Sequence, residues 1–270
     1  MDRFSLKGKN ILITGATGIL GAKFCEGLVS AGAHLAMIDQ DQKLLDKQAL
    51  ELMQKYPSLK IKGYECDITH EDKVKSTLAL IVNDFKEIHV LHNNAASKGQ
   101  SLDDFFDSFE NFKLQTWRDI MSVNIDGMFI MAKHVGQHMI EKGIKGSIIK
   151  TASIYGVVAP DQRIYEGSRY LDRQISSPAV YSASKAAVIG LANYLAAYWG
   201  AQGIRVNVLT PGGVESGQNE TFKSKYSARV PLNRMAQADE MIGALVFLAS
   251  DASSYVTGQN IMVDGGLTVW

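Results

Sequence analysis

The sequence predicts an α/β domain built on a doubly wound parallel sheet, and three observations carry that expectation. Short apolar runs of β type alternate with segments of helical period along most of the chain, which implies parallel strands joined by right-handed crossovers. The first apolar run leads straight into a glycine-rich turn and then a helix. The length of 270 residues, with 46% hydrophobic and 21% charged content, is enough to bury one large core. In such a sheet the ligand site is expected at the carboxyl ends of the strands.

The elements follow in order. Residues 10–14, Asn-Ile-Leu-Ile-Thr, form the first strand. Gly15, Gly18 and Gly21 punctuate the turn after it, and helical spacing continues to Val29. Glycine there lets the backbone approach a pyrophosphate, while the free N–H groups of the helix's first turn face the anion. Residues 34–39 read as a second buried strand ending in Asp39, 18 positions after Gly21. A carboxylate in that place accepts hydrogen bonds from the adenosine ribose hydroxyls and repels a 2′-phosphate, and no arginine stands close by in sequence. NAD is therefore expected over NADP. The competing role for Asp39 is an N-cap for a helix over residues 41–55.

The alternation continues with a strand near 61–66, a helix near 71–85, and a strand near 88–91 that runs into Asn93-Asn94-Ala95-Ala96. Residues 99–112 mix aromatics and acids without period and read as a surface loop or short helix. A long helical pattern over 117–140 is interrupted at Val123-Asn124, and the next strand spans 147–153. Between Ser153 and Tyr181 lie 27 residues containing Arg163, Tyr165, Glu166, Arg169, Tyr170, Asp172 and Arg173. Long ordered loops tend to be functional, and either an active-site lid or a subunit contact fits this one. A strand near 205–210, a polar segment to Arg229, a helix near 239–249 and a strand over 260–263 complete the chain.

Tyr181-Ser-Ala-Ser-Lys185 begins the Ala-rich run after that long segment. Four residues apart on a helix, the phenol and the ammonium share a face. A phenol ionises near pH ~10, so proton transfer at pH ~7 means closing a gap of roughly 3 units, about 4 kcal/mol. A fixed ammonium beside it favours the phenolate.

Composition removes several classes. Lys plus Arg and Asp plus Glu both number 28, so nothing draws the chain to nucleic acid or an anionic membrane. No apolar run approaches the ~20 residues of a membrane span, and residues 1–9 are too polar for a secretory signal, so a cytoplasmic location is expected. The two cysteines, Cys25 and Cys66, are too few for a disulfide framework or metal site and read as packing residues. No metal is expected.

With Gly15/Gly18/Gly21, Asn93-Asn94-Ala95-Ala96, Asn124, Ser153 and Tyr181-x-x-x-Lys185 in this order, the chain resembles the short-chain dehydrogenase/reductase family from end to end. Pro211-Gly212 and Val263-Asp264-Gly265-Gly266 also match. The resemblance implies a single Rossmann-type domain over 1–270 with seven parallel strands, a nicotinamide cofactor, a small-molecule substrate, and commonly a homotetramer or homodimer. It implies that Tyr181 is the general acid/base, Lys185 binds the nicotinamide ribose and lowers the phenol's pKa, Ser153 hydrogen-bonds the substrate oxygen, and Asn124 holds a water in the proton relay. Cofactor contacts are implied for Gly15, Thr17, Gly18, Ile19, Gly21, Asp39, Asp67, Ile68, Asn93, Ala95, Tyr181, Lys185, Pro211, Gly212, Val214 and Ser216. A substrate lid is expected near 159–177 and a substrate loop near 212–237.

Three departures from the family pattern bear on function. The glycine spacing TGxxGxxG, with Ile19 where glycine is commoner, is more typical of relatives acting on nucleotide sugars. Ala96 replaces a glycine, which is tolerable if φ there is negative. The segment before Tyr181 is longer than usual and includes three arginines that could hold a polyhydroxylated or phosphate-bearing substrate. Its sequence, with Val230-Pro-Leu-Asn-Arg234, is similar to a bacterial subgroup linked to flagellin and surface-glycan modification. The expected activity is NAD-dependent interconversion of a secondary alcohol and a ketone, on a sugar or sugar nucleotide. The alternatives are a nucleotide-sugar epimerase or dehydratase retaining its NAD, and a non-catalytic NAD sensor.

Overall fold

A computed structural model of the protein describes residues 3–270. Seven parallel strands form the central sheet: β1 (Asn10–Thr14), β2 (His34–Asp39), β3 (Ile61–Glu65), β4 (Val90–Asn93), β5 (Ser147–Thr151), β8 (Arg205–Pro211) and β9 (Asn260–Val263). Two short antiparallel strands, β6 (Arg169–Tyr170) and β7 (Arg173–Gln174), make a separate hairpin. The sheet order is β3-β2-β1-β4-β5-β8-β9. Order reverses on either side of β1, which pairs with both β2 and β4. That switch point opens a crevice above the carboxyl ends of β1 and β4.

Side-chain alternation along each strand divides the core. Leu12, Leu91, Ile148 and Val206 point to one face, under α3 (Glu71–Phe85), α6 (Met128–Glu141) and α7 (Ala179–Trp199). Ile13, Val90, Ile149 and Leu209 point to the other, under α1 (Ile19–Ser30), α2 (Gln42–Lys55) and α9 (Ile242–Ala249). A third apolar cluster joins Ile164, Tyr165 and Ile175 to Phe222 and Tyr226, and builds one side of the crevice.

The structure differs from the sequence-based expectation in instructive places. The helix expected over 117–140 is α5 (Leu114–Met121) and α6 joined by a π-helical turn, Ser122–Gly127, that contains Asn124. α4 (Leu102–Phe105) is the short helix allowed for in the aperiodic stretch. The polar segment to Arg229 contains an unexpected helix, α8 (Glu220–Ser227), whose buried residues are Phe222 and Tyr226 at i, i+4. Two apolar residues are too few for a period to show, but Asn219 caps the helix by accepting from Phe222 N at 3.2 Å. Asp41, not Asp39, caps α2, which leaves Asp39 available to the crevice. Both cysteines are buried and free. Among the described residues no helix is long and apolar enough to cross a membrane.

Candidate active site

One cleft of about 660 Å³ lies above the switch point, within the usual range for a small-molecule site. At one end is the glycine turn. Gly15 has φ +65°, and a Cβ there would fall 2.7 Å from Ala95 Cα. A Cβ on Gly21 would collide with the Gly15 carbonyl oxygen. Gly18 is different, since its Cβ would meet no neighbouring atom closer than 3.5 Å. Its missing side chain therefore leaves room on the cleft side, as a pyrophosphate cradle requires. Thr14 ties this turn to the strand beside it, its Oγ1 accepting from the amides of Asn94 and Ala95 at 3.1 Å each. Ala96 is outside the left-handed region, so the absence of glycine there costs nothing in backbone strain.

Asp39 lines the same end of the cleft. Its Oδ2 accepts from Thr17 N at 2.9 Å and Thr17 Oγ1 at 2.7 Å. Cys66 and Ile68 line the wall beyond, whereas Asp67 between them is turned to accept from Thr69 N and Oγ1. Asn93 is fully buried beneath the cleft, its Nδ2 donating to the Met128 carbonyl at 2.9 Å and its Oδ1 without a partner. Thr17, Ile19, Ala95, Pro211, Gly212, Val214 and Ser216 all line the cleft.

Midway along, Ser153, Tyr181 and Lys185 converge. Tyr181 and Lys185 stand on the first turns of α7, with Lys185 Nζ 5.8 Å from the Tyr181 ring centroid. Ser153 caps a 3-10 turn, Ile154–Gly156, after β5. Gly156 lets that turn lie on α7, because a Cβ there would be 2.6 Å from the Lys185 carbonyl carbon. Lys185 Nζ donates to the Thr151 carbonyl at 3.0 Å, and burial pulls its pKa down to about 8. Burial raises the Tyr181 phenol above its ordinary value, opposed by hydrogen bonding from the Ser153 hydroxyl. Desolvation sets the direction, and the lowering that the resemblance implies from Lys185 is not seen in the protein alone. Asn124 does not line the cleft. Its Oδ1 accepts from Ser97 N at 2.8 Å and its Nδ2 donates to Ser184 Oγ at 3.1 Å, so the side chain braces the β4 loop against α7.

The far end is aromatic and hydroxylic. Tyr155, Tyr165, Tyr170, Phe222 and Tyr226 line it with Ser176, Ser177 and Gln218. Tyr165 donates to Ser177 Oγ at 2.8 Å and stacks on Phe222, which fastens the 159–177 segment to α8. The three lid arginines do not line the cleft. Arg163 is 90% exposed and paired with Asp161, Arg173 is paired with Asp103, and Arg169 donates to the Asp172 carbonyl. Reading the sequence missed Lys98, Tyr155 and Tyr226 as lining residues. Lys98 alone had a local signal, following Asn93-Asn94-Ala95-Ala96 at a strand's carboxyl end.

Comparison with known proteins agrees with this geometry. A family model described as "Enoyl-(Acyl carrier protein) reductase" matches residues 15–268. The chain is 32% identical to gluconate 5-dehydrogenase of Gluconobacter oxydans, over 99% of this chain and 98% of that one. It is 31% identical to a ribulose-forming D-arabinitol 2-dehydrogenase of Candida tropicalis, over 99% and 95%. A short-chain dehydrogenase from Leptospira borgpetersenii with bound NAD+ superposes with TM-score 0.84 at 34% identity, covering 98% and 94% of the two chains. A gluconate 5-dehydrogenase from Burkholderia cenocepacia in complex with NADP and tartrate gives 0.86 at 31%, covering 100% and 98%. The chain belongs to the short-chain dehydrogenase/reductase family. It is an oxidoreductase of the nicotinamide-dependent kind.

Proposed function

We propose that the protein interconverts a secondary alcohol and a ketone on a sugar, sugar acid or polyol, with NAD as the preferred cofactor. The observation that carries this reading is the placement of Ser153, Tyr181 and Lys185 in one cleft with the glycine turn and Asp39. A nicotinamide bound there supplies or accepts the hydride. In the oxidising direction the alcohol proton passes to the Tyr181 phenolate as the hydride leaves carbon, and in reduction the phenol returns it. Ser153 donates to the reacting oxygen and stabilises the charge that builds there. The Lys185 ammonium, anchored on Thr151, favours the phenolate once a cofactor ribose and substrate complete the site.

The substrate class is supported by the hydroxyl-rich wall and by the sugar-acid and polyol dehydrogenases among the relatives. The NAD preference is supported by the Asp39 carboxylate. Relatives that hold NADP set this against the fold and rest it on that one group. The same reading includes residues 159–177 as the lid, residues 212–237 as the substrate loop, a cytoplasmic location and a homodimer or homotetramer, the last measurable by light scattering. It also includes the surface-glycan subgroup, supported by the lid sequence and Val230-Pro-Leu-Asn-Arg234 alone. The deciding experiment is Tyr181→Phe, which should lower kcat by at least about a thousandfold and leave NADH affinity within a few fold. Retained turnover would sink the assignment.

A further inference from the structure

We infer that Lys98 forms an anion subsite at the outer end of the cleft, so that the substrate is a polyhydroxylated compound bearing a carboxylate or a phosphate. The inference rests on the oxidoreductase reading of this cleft. Among the described residues only three of the Asp, Glu, Lys and Arg types line the cleft. Asp39 stands at the glycine end, with Thr17 on its carboxylate. Lys185 is bound to the Thr151 carbonyl below Tyr181. Lys98 is the third, and the substrate end carries no carboxylate to balance it.

Among the described residues that ammonium has no acidic partner. No Asp or Glu oxygen of the described residues lies within ion-pair distance of Lys98. The acids of the adjoining α4 are engaged elsewhere, Asp103 with Arg173 at 2.7 Å and Asp104 with Lys113 at 2.8 Å. What Lys98 has is a ring. Its Nζ lies 4.5 Å from the centroid of Tyr170, which orients the ammonium at the cleft without neutralising its charge.

Tyr170 is itself held in place. It pairs with Arg173 in the β6–β7 hairpin, whose tip residues Leu171 and Asp172 take left-handed φ values of 48° and 58°. An isolated bridge to Gln218 fixes the hairpin to the substrate loop. Lys98 therefore meets a preset surface formed by two elements distant in sequence. Lys98 is exposed to solvent, and its partial enclosure by the cleft wall lowers its pKa from the ordinary lysine value, so its charge is only partly compensated. An incoming anion supplies that compensation through a charge-assisted hydrogen bond, while Ser176, Ser177 and Gln218 offer neutral partners to hydroxyls along the same wall. The lid arginines, all directed elsewhere, leave Lys98 as the one lining cation free to do this.

Calorimetric titration of the NADH-loaded protein with D-gluconate, D-glucitol and D-glucitol 6-phosphate tests the subsite. The three differ in the terminal group and share a six-carbon polyol chain. At least one anion should bind at least about tenfold more tightly than glucitol, consistent with one charge-assisted hydrogen bond. Preference for gluconate identifies a sugar acid, and preference for the phosphate identifies a sugar phosphate. Lys98→Met should erase the preference by weakening the anion far more than glucitol, and Lys98→Arg should keep most of it. The subsite is overturned if neither anion binds more tightly than glucitol, including the case in which none binds, or if the preference survives Lys98→Met. These complexes form without turnover, so failure here leaves the oxidoreductase reading to the Tyr181→Phe measurement.

Discussion

The Asp39 carboxylate accepts two hydrogen bonds from one residue, Thr17, through its amide and its hydroxyl, both to Oδ2. The glycine turn is thereby closed onto the end of β2, and the carboxylate is fixed at the end of the cleft that the proposed function gives to the adenosine ribose. Among the described residues Oδ1 accepts only from the adjacent Gln40 N, at 2.8 Å, and keeps capacity for a ribose hydroxyl.

A cofactor switch follows from that charge. Asp39→Ser removes the repulsion of a 2′-phosphate but keeps a hydroxyl. The ratio of kcat/KM for NAD+ over NADP+ should fall by at least about tenfold, the effect of a penalty near 1.4 kcal/mol. Thr17→Val keeps the amide bond and loses the hydroxyl one, so it should weaken NAD+ binding only a few fold. An unchanged ratio in Asp39→Ser would remove the basis for NAD preference.

Two glycines in the same turn should separate stability from binding. Gly21→Ala places a methyl on the Gly15 and Ala16 backbone, which cannot move without opening the turn. Thermal unfolding should shift down by several degrees, as expected for a cost of about 2 kcal/mol in a chain this long. Gly18→Ala meets only ordinary contact distances within the protein. It should leave the midpoint within about 2 °C while weakening NADH at least tenfold, because the methyl occupies the pyrophosphate space.

The scaffold was legible because its determinants are local. Strand β2, helix α3 and strand β9 fall at the positions that apolar runs and helical spacing indicate. The glycine turn, Ser153 and the Tyr181/Lys185 pair share one cleft because the sheet order brings strand ends together. The substrate end was not legible, since its determinants are contacts between distant segments. Tyr165 reaches Phe222, Lys98 reaches Tyr170, and Tyr226 accepts from Gly213 N. Nor did spacing show that Arg163, Arg169 and Arg173 would find partners away from the cleft. The interruption at Val123-Asn124 was visible, but not that it is a π turn whose asparagine ties two other segments together.

That asparagine should act through structure. Asn124→Ala leaves the Ser97 amide without its acceptor and Ser184 without its donor, a loss of about 1–3 kcal/mol for each buried group left unmet. Thermal stability should drop by several degrees. KM should rise more than kcat falls, because the Ser97–Lys98 wall is released. A fall in kcat alone, at unchanged stability, would instead assign Asn124 a direct part in proton transfer.

Lys150 carries the last prediction, and it concerns pH. The residue is wholly buried in β5, its Nζ has among the described residues a single bond, 3.3 Å to the Met128 carbonyl, and burial lowers its pKa to about 7. In the unfolded chain the ammonium titrates near ~10.4. Between those values the unfolded state binds more protons than the native state, so stability rises with pH across the window and the penalty is full below about 7. Chemical denaturation at pH 7 and pH 9.5 should therefore show greater stability at the higher pH. Lys185, lowered to about 8 by burial, adds a slope of the same sign over a narrower range. Lys150→Met keeps the volume and removes the charge. It should stabilise the protein at pH 7 by a few kcal/mol and flatten the pH dependence to the part due to Lys185. If Lys150→Met is destabilising at pH 7, the ammonium is better solvated in the fold than its surroundings indicate, and the parent protein should then show only the smaller pH slope due to Lys185.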